Sequence, residues 1–363
     1  MREVDQEMRV QLLTETRDIL TAWRLDPDDW RLAGAVPGAR GGLWRPVVET
    51  GMGRWLLRQQ APDLTLDDTR FRHAYMAHLT EAGLPVPRLL VTPEGRTWAA
   101  AHDGVYELQA FLPGESFASD DSAARAENAA ARLGELHQAS ATFAWGQFGW
   151  PEERSATALA QAYVARIRQA ASDAWEDTRI GRELTRVADA CEERVTAAAN
   201  AFAALSGLPA LHIHGDYLPH NVAYAGDRVC AIYDFDAARW ERRVYELAYA
   251  LLFFTGLGWS EGDPLTPPRA DDGLDIGYAQ RFLAAYGNEA PPDEDEAPVL
   301  GEALALVFPI AFANGIAEDL VFADDYADPP NEREALIRLG WAERFWLWLD
   351  RYQEALAQAW ETA

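Results

Sequence analysis

The residues whose types and spacing can do chemistry lie between Leu211 and Asp236: His214, Asp216, Asn221, Asp234 and Asp236. Asn221 to Tyr224 and Val229 to Tyr233 read as two strands, joined by a four-residue turn with Gly226-Asp227 at its centre. A hairpin closed there pairs Tyr224 with Val229, and hence Asn221 with Ile232. That register brings Asn221 close to Asp234, so an amide oxygen and a carboxylate can face one hard cation. Mg²⁺ takes few oxygen ligands from protein and completes its octahedron with water and nucleotide phosphate, so an Asp plus an Asn makes a half-site. Asp216, in the loop leading into the hairpin, is placed to accept a proton from a substrate hydroxyl. A positioning base and a cation spread over phosphates are what phosphoryl transfer requires, with little covalent work for the protein.

The elements that must carry these residues follow from the hydrophobic pattern. Met8, Leu12, Leu13, Thr16, Ile19, Leu20 and Trp23 recur at helical spacing and predict an opening helix over 8–23. Gly34, Gly38, Gly41 and Gly42 read as a turn region, followed by strands over Trp44–Thr50 and Arg54–Gln59. A helix over Phe71–Ala82 ends at Gly83 and the rigid Leu84-Pro85-Val86-Pro87, and further strands are predicted near Arg88–Thr92 and Val105–Phe111. After Leu112-Pro113-Gly114 the chain is Ala-rich and helical over Ser122–Ser140, Ala156–Gln169 and Arg182–Leu205. Trp341, Phe345, Trp348, Leu349, Tyr352, Leu356 and Trp360 form one stripe of a C-terminal helix.

Composition removes several function classes. With 363 residues, 49% of them hydrophobic and 25% charged, the chain reads as one large or two smaller globular units rather than a disordered one. The net charge of −26 repels phosphate backbones and anionic lipid, which argues against nucleic-acid and membrane partners. The first part, to Leu112, has 13 Arg against 16 acids and the remainder 19 against 42, so the acidity sits in the helical part. All 32 basic residues are Arg. The most apolar uncharged runs, Leu247–Trp259 and Ala303–Ala317, are 13 and 15 residues long, short of the roughly 18 to 20 that a membrane-spanning helix needs. The first ten residues hold no signal-peptide core, so the expected location is the cytoplasm. Cys191 and Cys230 match no disulfide framework or metal spacing and are expected to be buried thiols.

His214-Gly-Asp216-Tyr-Leu-Pro-His-Asn221 with Ile232-Tyr-Asp234-Phe-Asp236 resembles the aminoglycoside phosphotransferase and choline kinase family, homoserine-kinase-like members included. The likeness extends to Gly83-Leu-Pro-Val-Pro87, to Glu107-Leu-Gln-Ala-Phe-Leu-Pro-Gly114 as the hinge, and to Leu133-Gly-Glu-Leu-His137. It implies an α+β, two-lobed protein-kinase-like fold: a small antiparallel-sheet N-lobe with one main helix over 1–112, and a larger, mostly helical C-lobe over 113–363. It further implies an ATP- and Mg²⁺-dependent phosphotransferase acting on a hydroxyl of a small molecule. Carried over, Asp216 is the catalytic base, Asn221 and Asp234 are Mg²⁺ ligands, and the backbone around Glu107, Gln109 and Ala110 holds the adenine. Asp236 assists the metal or substrate side, and His214 supports the loop. Two departures stand out. The strand position that usually offers a Lys to the nucleotide phosphates is Arg58, and the helix that usually supplies its Glu partner reads Arg70-Phe-Arg72-His73.

Plainer explanations compete with each of these. Asp and Asn in loops commonly serve local hydrogen bonds. His212, His214 and His220 can be read as zinc ligands, though no Cys or His lies at metal spacing from them. His137 ends an apolar helix face and is expected to be a hydrogen-bonded core residue. The aromatic C-terminal stripe is read as core before a cation cage. The acids Glu261, Asp263, Asp271, Asp272, Asp275, Asp319, Asp324, Asp325 and Asp328 suit a cationic acceptor, but equally a solvated surface. Two alternatives to a small-molecule kinase remain. One is a catalytically inactive kinase-like nucleotide-binding or scaffold protein, motivated by Arg58 and the missing helix Glu. The other is a protein kinase, disfavoured because no APE-like segment follows Asp234.

Overall fold

The computed structural model describes residues 6–37, 44–101, 104–117, 123–145, 154–205, 207–255, 276–326 and 330–363. Gly38, Gly41, Gly42, Glu261, Asp263, Asp271, Asp272, Asp275 and Asp328 lie outside them. The chain divides into two compact units, one of residues 1–114 with 230–236, the other of 115–229 with 237–363.

The first unit opens with α1 (Gln6–Leu20), which ends in a short 3₁₀ turn at Trp23. Strands β1 (Trp30–Pro37), β2 (Trp44–Thr50) and β3 (Gly53–Gln59) follow, then helix α2 (Leu66–Glu81) and strands β4 (Ala99–Ala101) and β5 (Gly104–Ala110). They form one antiparallel sheet of order β1-β2-β3-β5-β4. Ile19, Leu20 and Trp23 pack with Val48, Trp55, Leu57, Ala99 and Leu108 to make a core on one face of it.

Three local expectations need correction. Residues 30–37 form a strand rather than a turn, with Gly34 at a register shift and a φ of +153° that absorbs the irregularity. The α2 helix starts five residues before Phe71, because Thr65 and Asp68 form a capping box in which each side chain bonds the other residue's main-chain N–H. Residues 88–92 make no regular strand. They touch β5 through a single bridge at Leu89 and two flanking hydrogen bonds, since the neighbouring prolines remove ladder donors.

The second unit contains β6 (Glu115–Ser116), α3 (Ala123–Ser140), α4 (Ala156–Asp173), α5 (Arg179–Ala204), β7 (Ala210–Ile213), β8 (Val222–Ala225) and the start of β9 (Arg228–Ile232). It continues with β10 (Arg239–Arg242), α6 (Arg243–Thr255), α7 (Ile276–Glu289), α8 (Leu300–Ala311), α9 (Glu318–Val321), α10 (Glu332–Leu339) and α11 (Trp341–Glu361). Strand β7 pairs antiparallel with β10, and β6 with β8. Ala297–Ile316 is a helical run long and apolar enough to cross a membrane, yet 83% of its apolar window is buried, where α8 packs on α4, α5, α6 and α11. The aromatic stripe of α11 is core: Phe345 stacks on Phe308 with ring centroids 4.2 Å apart.

Residues 230–236, read from sequence as part of the second lobe, belong to the first unit. Ile232 N–H donates to Pro85 O at 2.9 Å, and the Phe235 ring stands edge-on to Tyr75 of α2. Cys191 is buried as expected, but Cys230 is half-buried, because strand alternation turns Val229 and Ala231 inward instead.

Candidate active site

Two constellations carry the candidate residues, one in each unit. The second unit holds Asp216 and Asn221. Strand β7 ends at Ile213, and the chain turns through Gly215 at φ +82°, where a Cβ would meet Ala237 O at 2.0 Å. Only glycine fits that turn. The main-chain N–H of His214 donates to Glu246 Oε2 at 3.0 Å, and that of Gly215 donates to Glu246 Oε1. Glu246 sits on α6, 1% exposed, and His137 Nε2 lies 2.8 Å from its Oε2. His137 Nδ1 in turn is 2.7 Å from the Tyr286 hydroxyl on α7. Burial alone would raise the Glu246 carboxyl, but the hydrogen bond and charge of His137, together with the neighbouring His214 and Gly215, outweigh it and keep it below the ordinary range. One buried carboxylate thus ties three helices to the loop that presents Asp216.

Asp216 itself is held at both oxygens. Tyr249, also on α6, donates its hydroxyl to Oδ1 at 2.7 Å, and Asn221 Nδ2 donates to Oδ2 at 2.8 Å and to Asp216 O at 2.9 Å. Burial and the charge of Asp216 push the Tyr249 phenol well above its usual value, so it stays a donor. Asp216 N–H donates to His214 Nδ1 at 3.2 Å, so the buried His214 braces the loop. Because the Asn221 amide spends its donors on Asp216, its Oδ1 remains an acceptor for another group. Asn221 lies in a 3₁₀ turn just before β8 rather than in the strand.

The first unit holds the other constellation. Arg58 on β3 is 4% exposed, not a surface residue, and its cross-strand partner in the sheet is Glu107 on β5. Glu107, 1% exposed, accepts from Arg58 Nη1 at 3.2 Å, Gln109 Nε2 at 2.6 Å and Arg72 Nη2 at 2.6 Å, and lies 2.7 Å from His73 Nε2. Burial would raise its carboxyl, yet Arg72, His73 and Arg58 hold it far below the usual carboxylate range. The helix therefore supplies cations and the strand the carboxylate. The ion pair missing from α2 exists with its partner relocated to β5, which answers one of the two motives for reading the chain as an inactive scaffold, the missing helix Glu.

Asp234 and Asp236 stand on the more open side of the same arginines. Arg58 Nη2 donates to Asp234 Oδ1 at 2.7 Å, and Arg58 grips Asp236 through both Nη atoms, while Arg72 Nη1 also donates to Asp236 Oδ1. Asp234 has φ +62°, a left-handed conformation costly for a residue with a side chain and here fixed by its contacts. Burial raises and the Arg58 charge and hydrogen bond lower the Asp236 carboxyl, with a net downward shift. Within the main chain expected to hold adenine, Ala110 N–H donates to Arg88 O at 2.7 Å, and the next N–H, of Phe111, donates to Arg54 O at 2.9 Å. The Glu107 and Gln109 side chains turn into the ionic cluster.

No three His, Cys, Asp or Glu gather as a metal site among the described residues, which disposes of the zinc reading of His212, His214 and His220 there. A cation that takes only two protein oxygens needs no such triad, and Asp234 and Asn221, each in its own unit, each carry a hard oxygen of the kind such a cation takes. The acids proposed for cationic acceptors are ordinary where described: Asp319 pairs bidentately with Arg338, and Asp324 and Asp325 are exposed.

A model of a family described as phosphotransferase enzyme family matches residues 46–299, which span both constellations. The chain belongs to that family. It is a small-molecule phosphotransferase with a kinase-like fold. A homoserine kinase of Rhodopseudomonas palustris is 26% identical over 271 residues, covering 72% of this chain and 73% of that protein. Among solved structures, an aminoglycoside phosphotransferase from Alicyclobacillus acidocaldarius matches at TM-score 0.63 and 14% identity over 99% of this phosphotransferase and 98% of that chain. A choline kinase from Cryptosporidium parvum matches at TM-score 0.61 and 13% identity over 99% and 100%. At such identities the two structures speak to the fold.

Glu246 and Tyr249 escaped sequence reasoning, and Arg72 was read only as part of the stretch that lacks the usual helix Glu. Glu246 had a signal: it is a lone carboxylate inside the apolar run Val244–Thr255, where an acid persists only if something buried bonds it.

Proposed function

We propose that this phosphotransferase transfers the terminal phosphoryl group of ATP, delivered with Mg²⁺, to a hydroxyl of a small molecule. The observation that carries the reading is the Asp216 carboxylate, fixed by Tyr249 and Asn221 on a loop anchored by Glu246. A carboxylate so oriented accepts the hydrogen bond of an incoming hydroxyl and takes its proton as the phosphoryl moves. Asn221 Oδ1 and the Asp234 carboxylate would hold the metal, which supplies neutralising charge on the phosphates when bound. Arg58 offsets phosphate charge from β3. His214 positions Asp216 and does not react. The enzyme is expected in the cytoplasm.

The acceptor follows from chemistry and kinship. The homoserine kinase of R. palustris makes homoserine the first compound to test. The acidity of the helical part suits a cationic group beside the hydroxyl, so choline, aminopropanol and aminoglycosides come next. Substrate-dependent ADP release across that panel identifies the acceptor. Asp216→Asn should abolish turnover, a fall of about 10³-fold or more for a lost general base, while ATP still binds. Turnover at the parent rate in that variant removes Asp216 from its role.

A further inference from the structure

The arginine pair of the first unit is built in layers. Arg58 and Arg72 are 4% and 3% exposed, Glu107 on their closed side is 1% exposed, and the side chains of Asp234 and Asp236 are 27% and 24% exposed. Asp236 is bridged: Arg58 holds both its oxygens, and Arg72 holds Oδ1. Two guanidinium forks on one oxyanion, one of them bidentate, is the way arginines receive a phosphate. Arg45 on β2 stands in the same field, disfavoured by burial and by Arg58 and favoured by Asp234, Asp236 and Glu107. Among the described residues, the two bonded guanidinium groups, Arg58 and Arg72, meet three carboxylates, so neither is open to an arriving polyphosphate while Asp236 is in place.

We propose that Arg58 and Arg72 form a two-guanidinium seat for the nucleotide's polyphosphate, and that Asp236 occupies this seat as an internal anion until the phosphates displace it. Glu107 holds both arginines from below throughout, so the seat keeps its shape when Asp236 leaves. A divalent cation arriving with the nucleotide gives the released carboxylates a new partner, whereas metal-free nucleotide must compete with Asp236 unaided. Arg72, which stands on the helix where a Glu was expected, becomes a phosphate-binding residue. The inference rests on the ATP reading above.

The test is titration calorimetry with ATP, ADP, AMP and adenosine, each with Mg²⁺ and with EDTA. Asp236→Asn removes the internal competitor, so metal-free ATP should bind about tenfold more tightly than to the parent protein, ADP less so, and adenosine equally. Arg72→Lys keeps the charge that Glu107 requires and loses the fork. It should weaken ATP and ADP about tenfold and leave adenosine unchanged. If Asp236→Asn fails to fold, the Arg72→Lys series decides alone. Parent protein that binds no Mg·ATP overturns both the nucleotide reading and this inference. Parent protein that binds Mg·ATP, with metal-free ATP no tighter on Asp236→Asn or with ATP and adenosine weakened alike by Arg72→Lys, overturns this inference only.

Discussion

Glu107 and Glu246 are each 1% exposed and each carry a full set of donors, yet they are satisfied by different kinds of group. Glu107 is surrounded by side chains: two guanidinium groups, an imidazole and an amide. Glu246 takes two main-chain N–H groups and one imidazole. The first arrangement fixes where charge sits, and leaves the outer ends of Arg58 and Arg72 able to exchange one anion for another. The second fixes the path of the backbone at His214 and Gly215, and with it the direction of Asp216. One unit has stabilised a movable set of ions, the other a rigid loop.

The largest effect that would break this contrast is on stability. Glu107→Ala leaves two buried guanidinium groups without their inner carboxylate and should cost about 3–5 kcal/mol in denaturant unfolding. A loss under about 1 kcal/mol would show that Asp234 and Asp236 can hold the arginines alone. Glu246→Gln keeps the shape but turns an NH₂ group, which donates and cannot accept, toward one of the two main-chain N–H donors, and should cost about 1–3 kcal/mol. Its turnover should fall about 100-fold, since a shifted loop misplaces the reacting group. If turnover instead tracks only the folded fraction, Glu246 anchors helices and not the loop.

Acid sharpens the comparison further. The Glu107, Asp236 and Glu246 carboxyls all lie below their unfolded values, near 3.9 to 4.3 for ordinary Asp and Glu. Each therefore adds stability that is fully present above that range and is lost as pH falls through it toward the folded-state values. Unfolding midpoints measured from pH 7 to pH 3 should drop on the acid side, and Glu107→Gln should flatten the slope. The smallest effect is expected of Tyr249→Phe, which removes one hydrogen bond from Asp216: about 0.5–1.5 kcal/mol of stability and about tenfold in turnover, with ATP affinity unchanged.

The sequence made Asp216, Asn221 and Asp234 visible because they recur in one short stretch with strand and turn signals between them. Arg58 was visible from its strand, but Glu107 was read through its main chain, because its side-chain partners lie 49 and 35 residues away and only sheet register and helix packing join them. Strand β1 was hidden behind its glycines, and β4 is too short to show a period. Tyr249 looked like one more aromatic in an apolar helix. What marks it is the carboxylate that the β7 loop brings to its hydroxyl, a tertiary relation that periodicity does not encode.

Arg58 also decides which reagents can reach this enzyme. With no lysine anywhere in the chain, amine-directed acylating reagents have no side-chain amine to label at the strand position that Arg58 occupies. A guanidinium does not deprotonate in water, so its hold on an anion persists into alkali where an ammonium would let go. Arginine-selective dicarbonyls should modify exposed Arg70 long before Arg58, which makes the pace of their reaction a gauge of how often the ion cluster opens.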